Sequence, residues 1–267
     1  MNGFLDLILP AWGAVAALMS VLWWRQVRTH NANWVDVAWA GSTGGLGVYF
    51  AIAGEGDPLR RLALAMMAGM WGGRLALHIY RRALRHPEED SRYRYLRQHW
   101  HTATQIKFFL FFQAQGLAAM VFSLPYWAIA QIPGPTPPAV LTVAAVIWLV
   151  SIAGESFADW QLTAWRAAPG HCGRTCRTGL WAYSRHPNYF FEWLHWWSYV
   201  VLSHGSPYWW IALLIQGLMF MTLNYLSGIP HAERQALLSK GDDYREYQST
   251  TPRFFPWRPT RHAQPRH

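Results

Sequence analysis

The chain has 267 residues, 52% of them hydrophobic, and a net charge of +9, yet only 14% are Asp, Glu, Lys or Arg, against roughly 25% in soluble proteins. So few charges exclude an ordinary soluble domain, and because the basic residues fall in short connections between apolar runs, membrane topology explains them better than nucleic acid does. Two cysteines, Cys172 and Cys176, sit in one loop and are too few for a disulfide framework.

A spanning helix needs roughly 20 mostly apolar residues, because lipid offers no partner to an unpaired backbone group. Seven segments qualify: Phe4–Trp24, Trp34–Ala53, Leu62–Tyr80, Phe108–Ile129, Ala139–Phe157, Tyr189–Ser203 and Tyr208–Leu226. The first lacks a basic n-region and is long enough to cross, so it reads as a span and not as a cleavable signal. The second opens Asn33-Trp-Val-Asp36-Val-Ala-Trp39. Asp36 lies about one turn into apolar sequence, where a buried carboxyl holds its proton and suits a general acid. The plainer alternative is an interfacial Asp that caps the helix or pairs with an Arg. The third ends Arg74-Leu-Ala-Leu-His78-Ile-Tyr80-Arg81-Arg82. Tyr80, beside cations, is either a hydrogen-bond donor to a substrate oxygen or an aromatic-belt residue among snorkelling arginines. The sixth is short and carries Glu192 and His195, polar groups that cost free energy inside a membrane and mark function by default.

The connections alternate in charge. Arg25 and Arg28 follow the first span. Arg81, Arg82, Arg85, Arg92, Arg94 and Arg97 follow the third, and Arg166, Arg174, Arg177 and Arg185 follow the fifth. The fourth and sixth connections carry no charge. Positive loops stay cytoplasmic, which places the N-terminus outside and the C-terminus inside a seven-span, all-α bundle. Arg60 and Arg61, at the outer start of span three, run against this rule, with Asp57 partly offsetting them. One transmembrane domain is expected over residues 1–257, with cytoplasmic ligand-binding loops and a disordered tail at 258–267.

The densest polar stretch runs from Asp159 through Arg166 and Arg174 to Gly179-Leu-Trp-Ala-Tyr183-Ser-Arg185-His186-Pro-Asn188-Tyr189-Phe-Phe-Glu192. Arg and His clamp phosphate, aromatic rings stack on a base, and Asn and Glu hydrogen-bond a ribose or an amide. Asn188 and Glu192 are four apart, so a helix starting near Pro187 puts both on one face. A solvated loop needs no such mixture, and a nucleotide-like ligand explains it better. The tail adds His231-Ala-Glu233-Arg234, then Asp242-Asp-Tyr244-Arg-Glu-Tyr247 and an aromatic, basic run to Trp257. His171-Cys172-x3-Cys176 lacks the zinc spacing and a second pair, so no metal is expected.

The run Gly179-Leu-Trp-x-Tyr183-Ser-Arg185-His186-Pro-Asn188-Tyr189-x-x-Glu192, with Tyr244-x-x-Tyr247, resembles the steroid 5-alpha-reductase superfamily, and in particular its bacterial membrane branch. Asn33-x-x-Asp36-x-x-Trp39 and Trp71-Gly-x-Arg74-Leu-x-x-His78 are similar to that branch too. The resemblance covers about Asn33 to Trp257. It implies a seven-span bundle binding NADPH at the cytoplasmic side of a bacterial inner membrane, with hydride transfer to the β-carbon of an α,β-unsaturated carbonyl in a steroid-like or other lipid substrate. Carried over by motif, the cofactor contacts are Asp159, Arg166, Arg174, Tyr183, Arg185, His186, Asn188, Tyr189, Glu192, His231, Tyr244 and Tyr247. Where that superfamily has a Gln-Glu pair in span two to grip the carbonyl, this chain has none. Asp36 is the nearest acid there, and Tyr80 takes the place of the span-three Tyr, so these two are the catalytic candidates. Isoprenylcysteine-type membrane methyltransferases share an Arg-His-Pro-x-Tyr element and bind S-adenosylmethionine, which leaves that cofactor open. A non-catalytic protein binding anionic membrane lipid is the third alternative.

Overall fold

The computed structural model describes residues 3–85 and 87–260. Every regular element among them is helical: α1 (Phe4–Thr29), α2 (Trp34–Ala53), α3 (Pro58–Arg85), α4 (Ser91–His99), α5 (Thr104–Ala130), α6 (Pro138–Ala167), α7 (Pro187–Leu202), α8 (Trp209–Met221), α9 (Ile229–Lys240) and α10 (Asp242–Thr250). A 3-10 turn at Gly179–Ala182 precedes α7, and a π turn at Thr222–Leu226 extends α8.

Five helical runs are long and apolar enough to cross a membrane: α1, α3, α5, α6 and Trp209–Lys240, whose apolar part ends with the π turn, ahead of α9. By length and composition this is a helical membrane protein. Leu62, Met66 and Met70 on α3, and Val143, Val146 and Val150 on α6, are exposed at helical spacing, making stripes that lipid covers. Two of the seven expected spans fall outside the five. In α2, Asp36 and four glycines dilute the apolar sequence, and α7 has only 16 residues. Three helices were not expected: α4, whose sequence SRYRYLRQH has no apolar run, and α9 and α10 in the C-terminal segment.

The chain groups into two compact units. The first comprises Met1–Leu141 with Leu202–Ala212, the second Thr142–Val201 with Leu213–His267. In the first, α2 and α3 approach at backbone contact. A Cβ on Gly72 would stand 2.6 Å from the Gly44 Cα, and one on Gly44 would stand 2.8 Å from the Ala68 carbonyl oxygen. Small residues allow this approach, and close packing is what holds helices together in lipid.

Arg60 and Arg61 both close helix ends. Arg60 is 2% exposed. It donates from Nε to the Thr136 hydroxyl (2.8 Å) and from Nη1 to the carbonyls of Leu202 (3.2 Å) and His204 (2.8 Å), at the end of α7. Asp57 accepts the Thr136 hydroxyl at 2.6 Å and the Arg60 N–H at 2.9 Å. Arg61 donates to the last-turn carbonyls of α2, Ala51 at 2.6 Å and Ile52 at 2.8 Å. These carbonyls have no intrahelical partner and carry the negative end of the helix dipole. Both arginines are thus held by helix-end carbonyls.

In the second unit α6 and α7 pair closely: a Cβ on Gly154 would lie 2.5 Å from the Phe191 ring. Trp181 Nε1 donates to the Ala158 carbonyl (3.0 Å), and Gln161 accepts the Leu180 N–H (3.0 Å), which fixes the 3-10 turn against α6. Phe254 and Phe255 close an aromatic cluster with Phe190, Trp193 and Phe220. Of the tail expected to be disordered at 258–267, residues 261–267 lie outside the described residues. Thr260 still donates its N–H to Thr250 at 2.8 Å, so the chain is tethered that far.

Candidate functional site

The second unit gathers the polar motif around the start of α7. Pro187 opens that helix with its φ preset and no N–H left over. Asn188 follows, its Oδ1 accepting the Tyr189 N–H (3.0 Å) and its Nδ2 donating to Asp159 Oδ1 on α6 (3.1 Å). Glu192, one turn on and buried, accepts from Trp196 Nε1 at 3.2 Å. His195 and Tyr199 continue the same stripe, fully buried, with His195 Nε2 and the Tyr199 hydroxyl 3.0 Å apart. An α7 face expected from spacing alone is thus a continuous polar stripe.

Arg185 and His186 point elsewhere. Arg185 donates from Nε to Glu233 Oε1 (2.8 Å) and from Nη1 to the carbonyls of Gln248 (2.8 Å) and Thr251 (3.1 Å), while its N–H reaches Pro252 (2.9 Å). His186 Nε2 lies 3.3 Å from the same Glu233 oxygen, and its ring stacks on Tyr189 with centroids 5.6 Å apart. Burial pushes the His186 imidazole below its usual value, against the opposing pull of Glu233. Gln248 holds the other Glu233 oxygen at 3.0 Å, and the Tyr244 hydroxyl reaches the first at 3.5 Å. The Tyr247 hydroxyl donates to the carbonyls of Trp181 and Ser184. Burial raises both phenols, so they stay protonated donors.

Read from the motif, Arg185, His186, Tyr244 and Tyr247 are cofactor contacts. The geometry commits them to one another, to Glu233 and to backbone, where they pin α9, α10 and the C-terminal run to the start of α7. Glu233 is the residue that motif reading undervalued. Its only sequence signal is a lone acid following an apolar span in basic surroundings.

The other predicted contacts remain on the surface of this unit. Arg166 ends α6. Arg174 is exposed, its guanidinium bonded to no described residue. Tyr183 is exposed, its carbonyl accepting the Trp257 N–H at 2.9 Å. His231 is half-buried in the first turn of α9.

Asp36 and Tyr80 belong to the first unit. Asp36 Oδ2 accepts from Arg92 Nη2 at 2.7 Å, and its Oδ1 accepts the Tyr93 hydroxyl at 2.6 Å. Both oxygens are therefore engaged as acceptors. Of the two sequence alternatives, pairing with an Arg is the one the geometry contains. Asp90 completes the cluster: Arg92 Nε donates to it (3.0 Å), as does Arg82 (2.8 Å), and its N–H reaches Asn33 Oδ1 (2.8 Å). Burial works to raise the Asp90 carboxyl, but the hydrogen bond and charge of Arg92 prevail and hold it down to about 2. The Asn33-x-x-Asp36 motif thus docks α4 onto the start of α2. The Tyr80 ring lies edge-on to Trp34 with centroids 5.4 Å apart, and its hydroxyl bonds to no described residue. Among the described residues no group of three or more His, Cys, Asp or Glu could hold a metal ion.

Residues 22–251 match the family model described as Protein of unknown function (DUF1295), and the chain belongs to that family. Neither the curated proteins nor the solved structures contain a match to it.

Proposed function

We propose that this member of the DUF1295 family is a membrane reductase that uses NADPH to saturate the C=C bond of an α,β-unsaturated carbonyl in a steroid-like or other lipid substrate. The observation that carries the reading is the Asp159–Asn188 pair at 3.1 Å with Glu192 one turn further along α7. An amide and two carboxylates grouped this way are suited to a carboxamide and a ribose. Arg166 lies seven residues beyond Asp159 on α6, about 10 Å along the helix. Together with Arg174 it suits the phosphates of the same ligand. These residues fit a dinucleotide, whereas Arg185, His186, Tyr244 and Tyr247 serve as the frame that holds them. When bound, NADPH supplies the hydride.

The chain's own part is to orient, to exclude water and to donate a proton. Polar groups at the start of α7 fix the ligand's amide end, and the aromatic cluster of Phe190, Trp193 and Phe254 keeps the surroundings dry. For the donor to the substrate carbonyl the reading takes Tyr80 over Asp36, because the Tyr80 hydroxyl bonds to no described residue whereas both Asp36 oxygens accept hydrogen bonds. A preorganised donor of this kind lowers a barrier by roughly 3–4 kcal/mol. On this reading α2 and α7 cross the membrane with the five apolar helices. The seven spans leave the N-terminus outside and the cofactor residues on the cytoplasmic face of a bacterial inner membrane. The apolar substrate enters from the surrounding lipid.

The test is ligand-dependent thermal stability of the purified protein in detergent, with NADPH, NADH and S-adenosylmethionine in parallel, since a ligand that binds the folded state raises its apparent stability by mass action. Stabilisation by NADPH that Asn188→Ala or Glu192→Ala abolishes is the expected result. Stabilisation by S-adenosylmethionine alone would replace the reading with a methyltransferase. No response to any of the three would leave a lipid-binding role ahead.

A further inference from the structure

A groove of about 440 Å³ lies between α9 and α10. Two of its polar side chains are already engaged in the frame: one Glu233 oxygen accepts from Arg185 at 2.8 Å, and the other accepts from Gln248 at 3.0 Å. What the groove still offers is two guanidiniums and two leucines. Arg234 is exposed, and among the described residues it makes no hydrogen bond and no ion pair. Arg245, on α10, pairs at 2.7 Å with Asp242, whose side chain is 94% exposed. A pair so open to water contributes little and yields readily to another anion. Leu237 and Leu238 follow Arg234 by three and four residues on α9 and share its face, and Leu238 is 76% exposed.

The groove also opens next to the membrane. Leu226, 70% exposed, closes the last apolar run at the end of the π turn. Pro230, which lines the groove, comes four residues later, a reach of at most about 14 Å of chain. A helix that presents arginine and leucine together at this level suits the headgroup layer, with its charges on phosphate and its apolar side chains against the upper acyl chain. A soluble anion would use the arginines and leave the leucines in water. A neutral lipid would cover the leucines and leave the guanidiniums unmatched. An anionic phospholipid uses both.

We infer that the α9–α10 groove binds an anionic phospholipid, its phosphate on Arg234 and Arg245 and the start of an acyl chain on Leu237 and Leu238. The site is separate from the residues that the reductase reading assigns to NADPH and does not depend on that reading. Glu233, next to Arg234 in the chain, holds Arg185 and with it the start of α7. A lipid that bridges α9 and α10 therefore braces the same frame.

The test is a titration of the full-length protein in a neutral detergent with phosphatidylglycerol or phosphatidylcholine, with bound lipid counted by native mass spectrometry and no NADPH present. Phosphatidylglycerol is expected to bind the more tightly and to raise the melting temperature. Arg234→Gln should weaken the tightest phosphatidylglycerol about fivefold, and adding Arg245→Gln should weaken it further. Leu238→Ser should weaken it as well, which a site for a soluble anion would not show. Arg81→Gln, which removes an exposed charge outside the groove, should leave that step unchanged. Arg234, Leu238 and Arg245 are all exposed, so the lipid-free melts of these variants should match wild type. Equal retention of phosphatidylcholine, displacement of the lipid by inorganic phosphate at equal concentration, or an equal loss in Arg81→Gln and Arg234→Gln would each overturn the site.

Discussion

Arg185 and Glu233 are 48 residues apart in the chain and 2.8 Å apart in space. The pair ties the start of α7 to α9, and the remaining donors of Arg185 extend the tie to the carbonyls of Gln248 and Thr251. Deleting Arg185 leaves the largely buried Glu233 carboxylate with His186, Gln248 and Tyr244 but without its guanidinium, at a cost of about 3 kcal/mol. Arg185→Ala is therefore expected to lower the thermal stability of the detergent-solubilised protein sharply. In the fraction that stays folded, affinity for NADPH should change little. A large affinity loss with stability intact would return Arg185 to the cofactor.

The α2–α3 contact makes a paired test. Gly72→Ala would push a methyl group to 2.6 Å from the Gly44 Cα, a backbone atom that cannot move aside. Overpacking of this kind costs about 1–3 kcal/mol. Gly45, on the same helix as Gly44, has open space where a methyl group would go, with nothing within 4 Å. Gly45→Ala is expected to be neutral or slightly stabilising, since Ala is the better helix former. Thermal melts of the two variants side by side check the packing.

Asp36 and Tyr80 separate a structural from a catalytic role. Asp36→Asn should weaken the docking of α4, since charged hydrogen bonds contribute about 1.5–3 kcal/mol each. Limited proteolysis between α3 and α5 should then speed up. Tyr80→Phe removes a hydroxyl that bonds to nothing described. It should leave stability and NADPH binding unchanged while reducing turnover of an accepted enone by about 100- to 1,000-fold. Equal turnover in wild type and Tyr80→Phe would take Tyr80 out of the chemistry.

Asp90 gives the α4 cluster a pH dependence with a definite sign. Its carboxyl is held at about 2 in the folded protein against an ordinary 3.8, with Arg92 and Arg82 facing it and Asn33 at its N–H. A depressed carboxyl contributes stability that is fully present above its ordinary value and is lost as pH falls toward the folded value. The window is therefore about pH 4 down to pH 2, and the contribution is about 2 kcal/mol. Hydrogen exchange over Ser91–His99 should accelerate as pH drops through that window, after correction for the intrinsic rate. Asp90→Asn should flatten the response.

The long apolar helices were legible in the sequence because lipid demands unbroken apolar runs, and spacing alone placed Asn188 and Glu192 on one face of α7. What escaped was whatever depended on distant partners. α4 has no apolar run to announce it and is held by Asp36, Asn33 and Asp90 through side-chain bonds. Arg185 in a basic loop reads as a phosphate ligand until Glu233 is seen beside it. Arg60 reads as loop charge until it is found buried on carbonyls at the end of α7.

Loop charges orient a chain because exposed Lys and Arg resist translocation. Arg60 and Arg61 are bonded to Thr136 and to helix-end carbonyls, so they satisfy backbone groups that would otherwise lack partners. Removing their charge should therefore destabilise the fold without turning it over. Cys172 reports the orientation, being an exposed thiol in the loop after α6, with the other cysteine, Cys176, buried. A membrane-impermeant maleimide is expected to label Cys172 in inverted inner-membrane vesicles and not in intact spheroplasts. The side labelled should stay the same in the Arg60→Gln, Arg61→Gln double variant, even as its yield falls. Labelling from the outer side in the wild type would invert the topology and move the residues around Asn188 away from the cytoplasmic supply of NADPH.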